Sequence, residues 1–387
     1  MKEQEVYDRL AEWYGMRGLP QTEHVDPMLK AIYTPEEASL VTGIPFSGRY
    51  LDELAELKQM DPAELRPKLD ALAKKGVVFR TVTEDTVRYS LNDGLFAIYR
   101  GTYWPGRHDE RSKAVAPPAN QYYYHGWGDQ TKDTHLKGLR TLPIERTIED
   151  TRQIQPYEEV VKVLESHEYF AVAHCPCRSR KNEDPGFADC KYSTQVCLHF
   201  DRLARYIVEN DLGREITMEE SREILRQAAE EGLVHGISNM LEGVDTICNC
   251  CKCCCLFLEA YHKLGHAEGM TPSNYRARVN PELCIGCGLC VKRCPMETIR
   301  LEDSPEAKNR VTRITDETGK VKELKNKTGK VAVINTEICI GCGVCAYKCS
   351  TESLMLERLE VISHPPKDGR EFAASVMADI EAARARK

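Results

Sequence analysis

Two near-identical cysteine runs decide how this chain is read: Cys284-Ile-Gly-Cys287-Gly-Leu-Cys290-Val-Lys-Arg-Cys294-Pro and Cys339-Ile-Gly-Cys342-Gly-Val-Cys345-Ala-Tyr-Lys-Cys349. Both are spaced C-x2-C-x2-C-x3-C, the spacing of cysteines that ligate [4Fe–4S] clusters. Gly286, Gly288, Gly341 and Gly343 suit such loops. Without a Cβ the backbone curls closely round a cluster and turns N–H groups toward its sulfurs. Zinc is the competing reading, because C-x2-C pairs also build ribbons and fingers. Zinc motifs usually set two such pairs apart across a longer loop, and the doubled run is unlike them.

Working outward, the 387 residues lead us to expect two or three domains. Hydrophobic content of 42% and charged content of 29% supply enough apolar material for packed cores. The net charge of −7 gives no sign of a polybasic surface for nucleic acid or membrane lipid. There is no apolar stretch near the length of a membrane span. The start, Met-Lys-Glu-Gln-Glu-Val, lacks the apolar core of a signal peptide. Eighteen cysteines without an export signal therefore read as metal ligands held reduced in a cytoplasm, and so many cluster ligands suggest an anaerobic or low-oxygen setting.

The first hundred residues contain no cysteine. Thr34-Pro35-Glu36-Glu37 and Asp61-Pro62-Ala63-Glu64 have the form of helix starts. Leu65, Leu69, Leu72 and Ala73 then recur at helical spacing up to Gly76. Val77-Val78-Phe79 and Val87-Arg88-Tyr89-Ser90-Leu91 flank an acidic turn, as the strands of a hairpin would. Helices followed by such a hairpin resemble the winged-helix fold, in which the second helix of the pair enters a DNA groove. Its face here carries Glu64, Arg66, Lys68, Asp70, Lys74 and Lys75, a mixed set that points to protein docking rather than DNA. Residues 101–150, rich in Gly, Pro and aromatics such as Trp104, Tyr122, Tyr123, Tyr124 and Trp127, read as a loop-rich connector.

From Gln155 a helix with Val160, Val161, Val163 and Leu164 inward precedes a buried strand, Tyr169-Phe170-Ala171-Val172-Ala173. That strand delivers His174-Cys175-Pro176-Cys177-Arg178. Ten cysteines lie outside the two runs: Cys175, Cys177, Cys190 and Cys197, then Cys248-Asn-Cys250-Cys251-Lys-Cys253-Cys254-Cys255. Thiols this dense oxidise unless a metal or partner occupies them. Cys175, Cys177, Cys190, Cys197, Cys248, Cys250, Cys251, Cys253 and Cys254 are therefore the candidate ligands of one or two further iron–sulfur clusters. Cys255 reads as the start of a buried helix, Leu256-Phe257-Leu258. Adjacent cysteines point in different directions, so the second group cannot all face one ordinary cube. It bridges irons in a non-cubane cluster or serves two clusters from one loop. The paired cysteines are similar to those of heterodisulfide reductases in this feature alone, since that family's longer spacing is absent. His174 and His199 are alternative ligands, and Arg178, Arg180 and Lys252 stand ready to offset thiolate charge.

Residues 279–352 resemble the bacterial two-cluster ferredoxin domain. The resemblance implies that Cys284, Cys287, Cys290 and Cys349 hold one [4Fe–4S] cluster and that Cys339, Cys342, Cys345 and Cys294 hold the other. Two departures stand out. Ser350 replaces the proline that follows the fourth cysteine, which Pro295 supplies in the first run. The connection between runs is long, with turns at Asp316-Glu317-Thr318-Gly319-Lys320 and Lys327-Thr328-Gly329-Lys330 that predict an inserted β-hairpin, a docking element for a partner.

The expected fold class is α+β. A winged-helix-like domain at 1–100 is followed by a connector at 101–150 and a cysteine-rich α/β domain at 151–278. The two-cluster ferredoxin domain at 279–360 and a helical tail at 361–387 complete it. No dinucleotide fingerprint or P-loop is present, and no catalytic residue is assigned. The expected function is electron transfer through several [4Fe–4S] clusters, as an electron-transfer protein or a subunit of an oxidoreductase complex rather than a stand-alone enzyme, with a redox partner protein or larger complex, no nucleic acid, and self-association left open. The competing function is a redox-sensing transcriptional regulator.

Overall fold

A computed structural model describes residues 2–83, 86–92, 94–129, 132, 134–187, 189–315 and 318–385, and it is mixed α+β. The expected turns at Glu84-Asp85 and Asp316-Glu317 lie outside the described residues. The chain forms two compact units, Met1–Lys132 with Glu168–Ser221, and Asp133–His167 with Arg222–Lys387.

In the first unit local signals set the helix starts. Thr34 Oγ1 accepts from Glu37 N at 3.2 Å while Glu37 Oε2 accepts from Thr34 N at 2.8 Å, opening the helix Pro35–Val41. Asp61 Oδ1 accepts from Ala63 N at 2.7 Å and opens Pro62–Lys74, whose Leu65, Leu69, Leu72 and Ala73 are buried. Strands Val78–Val82 and Val87–Leu91 pair antiparallel, and the short strand Arg49–Tyr50 joins the free edge of the latter. Residues 101–150, expected as a loop-rich connector, contain instead the helix Glu110–His125, which runs through Pro117 and Pro118. Each proline removes a backbone donor. Burial of Val115, Ala119, Tyr122 and Tyr123 offsets that loss, at about 1.5–3 kcal/mol for each large side chain. The strand Phe170–His174, nearly as expected, pairs antiparallel with Gln195–Phe200 on one side and Arg214–Ile216 on the other. Helix Asp201–Glu209 covers it, and Tyr206 donates to Val78 O at 3.0 Å and stacks on Phe79 at 4.2 Å.

The second unit opens with three antiparallel strands, Leu139–Thr141, Val234–Ser238 and Thr246–Cys250. The register sets Val234 opposite Cys250 and Gly236 opposite Cys248. Helix Leu256–Leu264 follows the six-cysteine run. Tyr275–Val279 then pairs with Leu354–Arg358, and Ile299–Asp303 with Lys330–Ile334. The inserted hairpin is present as Val311–Thr315 with Val321–Lys325. The chain ends on the helix Gly369–Ala385. Among the described residues no helix is long and apolar enough to cross a membrane.

Two tests follow from this packing. Gly341 has φ +68°, and a Cβ there would overlap the Tyr275 carbonyl and Ser273 Oγ, whereas Gly319, at φ +81°, faces open space. Gly341→Ala is expected to cost about 2 kcal/mol or more and Gly319→Ala about 1 kcal/mol, the left-handed backbone being the shared part. Anaerobic melting of both variants checks the ranking, and equal losses would refute it. His235 is fully buried, donates to Asn249 Oδ1 at 2.6 Å, and is held down to a pKa of about 4 by burial, against a smaller opposing pull from Asn249. The unfolded chain binds a proton at this position below about pH 6.5 and the folded chain does not until about pH 4, so stability should fall across that window by roughly 3 kcal/mol. A pH series of melts should lose most of this slope in His235→Gln.

Candidate metal centres

The two cysteine runs form two adjacent cavities in the second unit. Cys284, Cys287, Cys290 and Cys349 line one together with Cys345, closed by Leu289, Leu301, Ala332 and Leu354. Cys294, Cys339, Cys342 and Cys345 line the other, closed by Ala277, Ile299, Ile340 and Leu356. The first three cysteines of each run thus share a cavity with the last cysteine of the other run.

Local structure aims these thiols. Gly286, at φ +64°, turns the first loop, and the short helix Leu289–Arg293 places Cys290 and Cys294 on successive turns, with Cys294 N donating to Cys290 O at 2.9 Å. Asn326 Nδ2 donates to Cys284 O at 3.0 Å and Thr328 Oγ1 to Gly286 O at 3.3 Å. The foot of the inserted hairpin therefore braces the first cysteine loop, a role that the turn sequence alone did not announce. Ser273 Oγ donating to Gly341 O at 2.9 Å braces the second loop. Several donors meet sulfur directly: Ala277 N to Cys339 Sγ at 3.5 Å, Thr298 N to Cys294 Sγ at 3.4 Å, and Ser353 Oγ beside Cys349 Sγ at 3.4 Å.

The electrostatics explain what the cavities suit. Burial, then the neighbouring Cys287 and Cys284, pushes the Cys290 thiol up to about 11. Burial likewise pushes the Cys342 and Cys345 thiols up, with Cys294 and Cys339 adding to it. Four thiolates in one apolar cavity repel each other and lack water, so they ionise together only around a cation core. An all-sulfur donor set, apolar walls and N–H donors aimed at sulfur fit a [4Fe–4S] cluster in each cavity.

The middle cysteines separate into different environments. Within the second unit the Sγ atoms of Cys251, Cys253 and Cys254 all lie within 4.8 Å of one another, and Cys254 Sγ is 3.7 Å from Cys253 Sγ. Cys250, by contrast, is hydrogen-bonded to Cys248 and Cys255, which with burial drive its thiol well above the ordinary value. Cys255 does begin the helix Leu256–Leu264, as its apolar successors imply, but its thiol also meets Cys250. Cys175 precedes the helix Pro176–Asn182, Cys177 is buried within 3.6 Å of the Tyr99 hydroxyl, and Cys197 is buried on the strand Gln195–Phe200.

The other candidates have mostly structural surroundings. His174 Nδ1 is 3.0 Å from Thr194 Oγ1, and His199 lies edge-on to Trp104 at 5.0 Å. The Arg178 guanidinium donates to the Ser193 carbonyl, and Arg180 lies over Tyr99 and Tyr123 at 5.6 and 5.2 Å. Lys252 pairs with Glu297, tying the six-cysteine loop to the segment after Cys294. His262 lies 2.8 Å from the Pro295 carbonyl and reinforces that tie.

Comparison with known proteins agrees with this geometry over one segment. The family model of the 4Fe-4S dicluster domain matches residues 283–353. Ferredoxin-3 of Rhodobacter capsulatus is 37% identical over 79 residues, which are 20% of this chain and 76% of that protein. Protein Pixie of Drosophila melanogaster is 50% identical over 36 residues, 9% of this chain and 6% of that protein. No solved structure matches the chain. Through the segment that holds the two cysteine-lined cavities, this chain belongs to the 4Fe-4S dicluster ferredoxin family.

Proposed function

We propose that this chain is an iron–sulfur electron-transfer protein that serves a larger oxidoreductase as a subunit or docked carrier. The observation that carries the reading is the exchange of fourth cysteines between the two cavities. It supports Cys284, Cys287, Cys290 and Cys349 as the ligands of one [4Fe–4S] cluster and Cys339, Cys342, Cys345 and Cys294 as those of the other. When bound, such a cluster accepts and releases single electrons at a potential set by burial and by hydrogen bonds to its sulfurs. The protein's part is to exclude water with Leu301, Ala332, Ile340 and Leu356, and to aim the Ala277 and Thr298 N–H groups at thiolate sulfur. Cys287 is the exposed member of its set, which favours that cavity as the exchange point with a partner protein. The group at Cys251, Cys253 and Cys254 supports a further cluster held by those thiols.

The N-terminal order of helices, short strand, helices and hairpin supports the winged-helix reading, and we assign that module to protein docking. On the helix Pro62–Lys74, Arg66 faces Asp70 at 3.9 Å, Lys74 faces Asp211 at 3.7 Å, and Lys75 pairs with Glu37. Basic residues already matched by carboxylates release few counterions on duplex DNA.

Anaerobically purified protein should carry at least about 12 irons per chain with matching sulfide, two cubes in the dicluster segment and one in the middle. A count near eight would remove the middle cluster from the reading. Cys253→Ser should lose about four irons while the paired-cluster EPR signal of the dicluster segment persists. No salt-dependent shift with duplex DNA is expected in either redox state; a shift that changes on oxidation would favour the regulator instead.

A further inference from the structure

We infer that the six-cysteine run serves two separate metal sites, and that Cys248, Cys250 and Cys255 form the second, a three-thiolate seat for an iron–sulfur cluster. This deepens the reading above, since it rests on the middle cysteines binding iron at all.

The backbone divides the run. Cys248 and Cys250 are two residues apart on the strand Thr246–Cys250, so their side chains leave the same face. Their partners across the ladder, Gly236 and Val234, share that face. A Cβ on Gly236 would meet Leu139 and Met270 at 3.4 Å, so apolar side chains wall it. Cys251 follows the last residue of the strand, and neighbouring residues of an extended chain point to opposite faces. After the turn, Cys255 N donates to Cys251 O at 3.1 Å, and Cys255 becomes the residue that opens the helix Leu256–Leu264. That turn returns the Cys255 thiol to Cys250 while Cys253 and Cys254 group with Cys251. The vicinal pairs Cys250-Cys251 and Cys254-Cys255 are thus split between sites.

The chemistry of the second trio favours a cluster over idle thiols. Cys250 and Cys255 are only 6% and 4% exposed and belong to the same apolar core as Cys284, Cys294, Cys342 and Cys345 of the dicluster segment. Three sulfurs gathered in such a core are soft donors suited to iron–sulfur or zinc. Their continuity with the redox cavities favours the former, as a seat that extends the electron path beyond the dicluster segment.

The test is iron, sulfide and zinc counting on the full chain purified anaerobically, alongside Cys250→Ser, Cys253→Ser and the double variant. The wild type should hold about 16 irons, each single variant about four fewer, and the double variant about eight fewer. Loss of iron from Cys250→Ser but not from Cys253→Ser supports this second site and overturns the site at Cys251, Cys253 and Cys254 proposed above. An unchanged count in Cys250→Ser overturns the second site. So does a double variant that loses no more than Cys253→Ser, which would mean one shared centre, or zinc that disappears with Cys250. Should Cys250→Ser not fold, Cys255→Ala replaces it. A wild-type count of about 12 that falls to about eight in Cys253→Ser overturns the second site without any Cys250 variant.

Discussion

Thiolates gathered away from water repel one another and lose their hydration, and the second unit is arranged around that cost. Cys342 and Cys345 lie in a cavity of Ala277, Ile299, Ile340 and Leu356, where burial strongly disfavours the charged thiolate. A cation core relieves both the repulsion and the desolvation at once. In sites whose ligands must lose protons, metal loading and folding are in general coupled. The strands Tyr275–Val279 and Leu354–Arg358, and Ile299–Asp303 with Lys330–Ile334, supply the walls that make the cavities apolar.

Around this centre the chain spends polar contacts on loop geometry. Arg293 donates from three nitrogens, to Val344 O at 3.0 Å, Glu230 O at 3.1 Å and Ala229 O at 2.7 Å, so one side chain locks the two cysteine runs to the end of the helix Met218–Glu231. Asn326 and Thr328 do the same for the first cysteine loop from the foot of the hairpin. The Lys252–Glu297 pair and the His262–Pro295 contact attach the six-cysteine loop to the dicluster segment. Loops fixed from several directions hold sulfur positions steady, which limits the reorganisation that accompanies a change of one charge.

Much of this was legible in the sequence where the signal is local. Thr34 and Asp61 open helices because their side-chain oxygens reach backbone N–H groups two or three residues on. The doubled cysteine spacing and its glycines marked the loops, and the two turn sequences marked the hairpin between them. The helix Glu110–His125 was not legible, since Pro117 and Pro118 argue against a helix locally and only the buried faces of Tyr122 and Tyr123 override them. Cys255 was read for its apolar successors, and its neighbour Cys250 is reached only through the turn between strand and helix.

By itself the sequence determined the kind of chemistry: sulfur donors in a cluster spacing, glycines that permit a tight loop, and no fingerprint for a nucleotide. Those properties reside in residue type and short-range spacing, so they can be read along a line. Only the tertiary structure decided the partition of the thiols. Which of the vicinal cysteines face Cys250 and which face Cys253 depends on side-chain direction at a strand end and on the turn that follows it. Spacing counts ligands; the direction in which each thiol leaves the backbone assigns them.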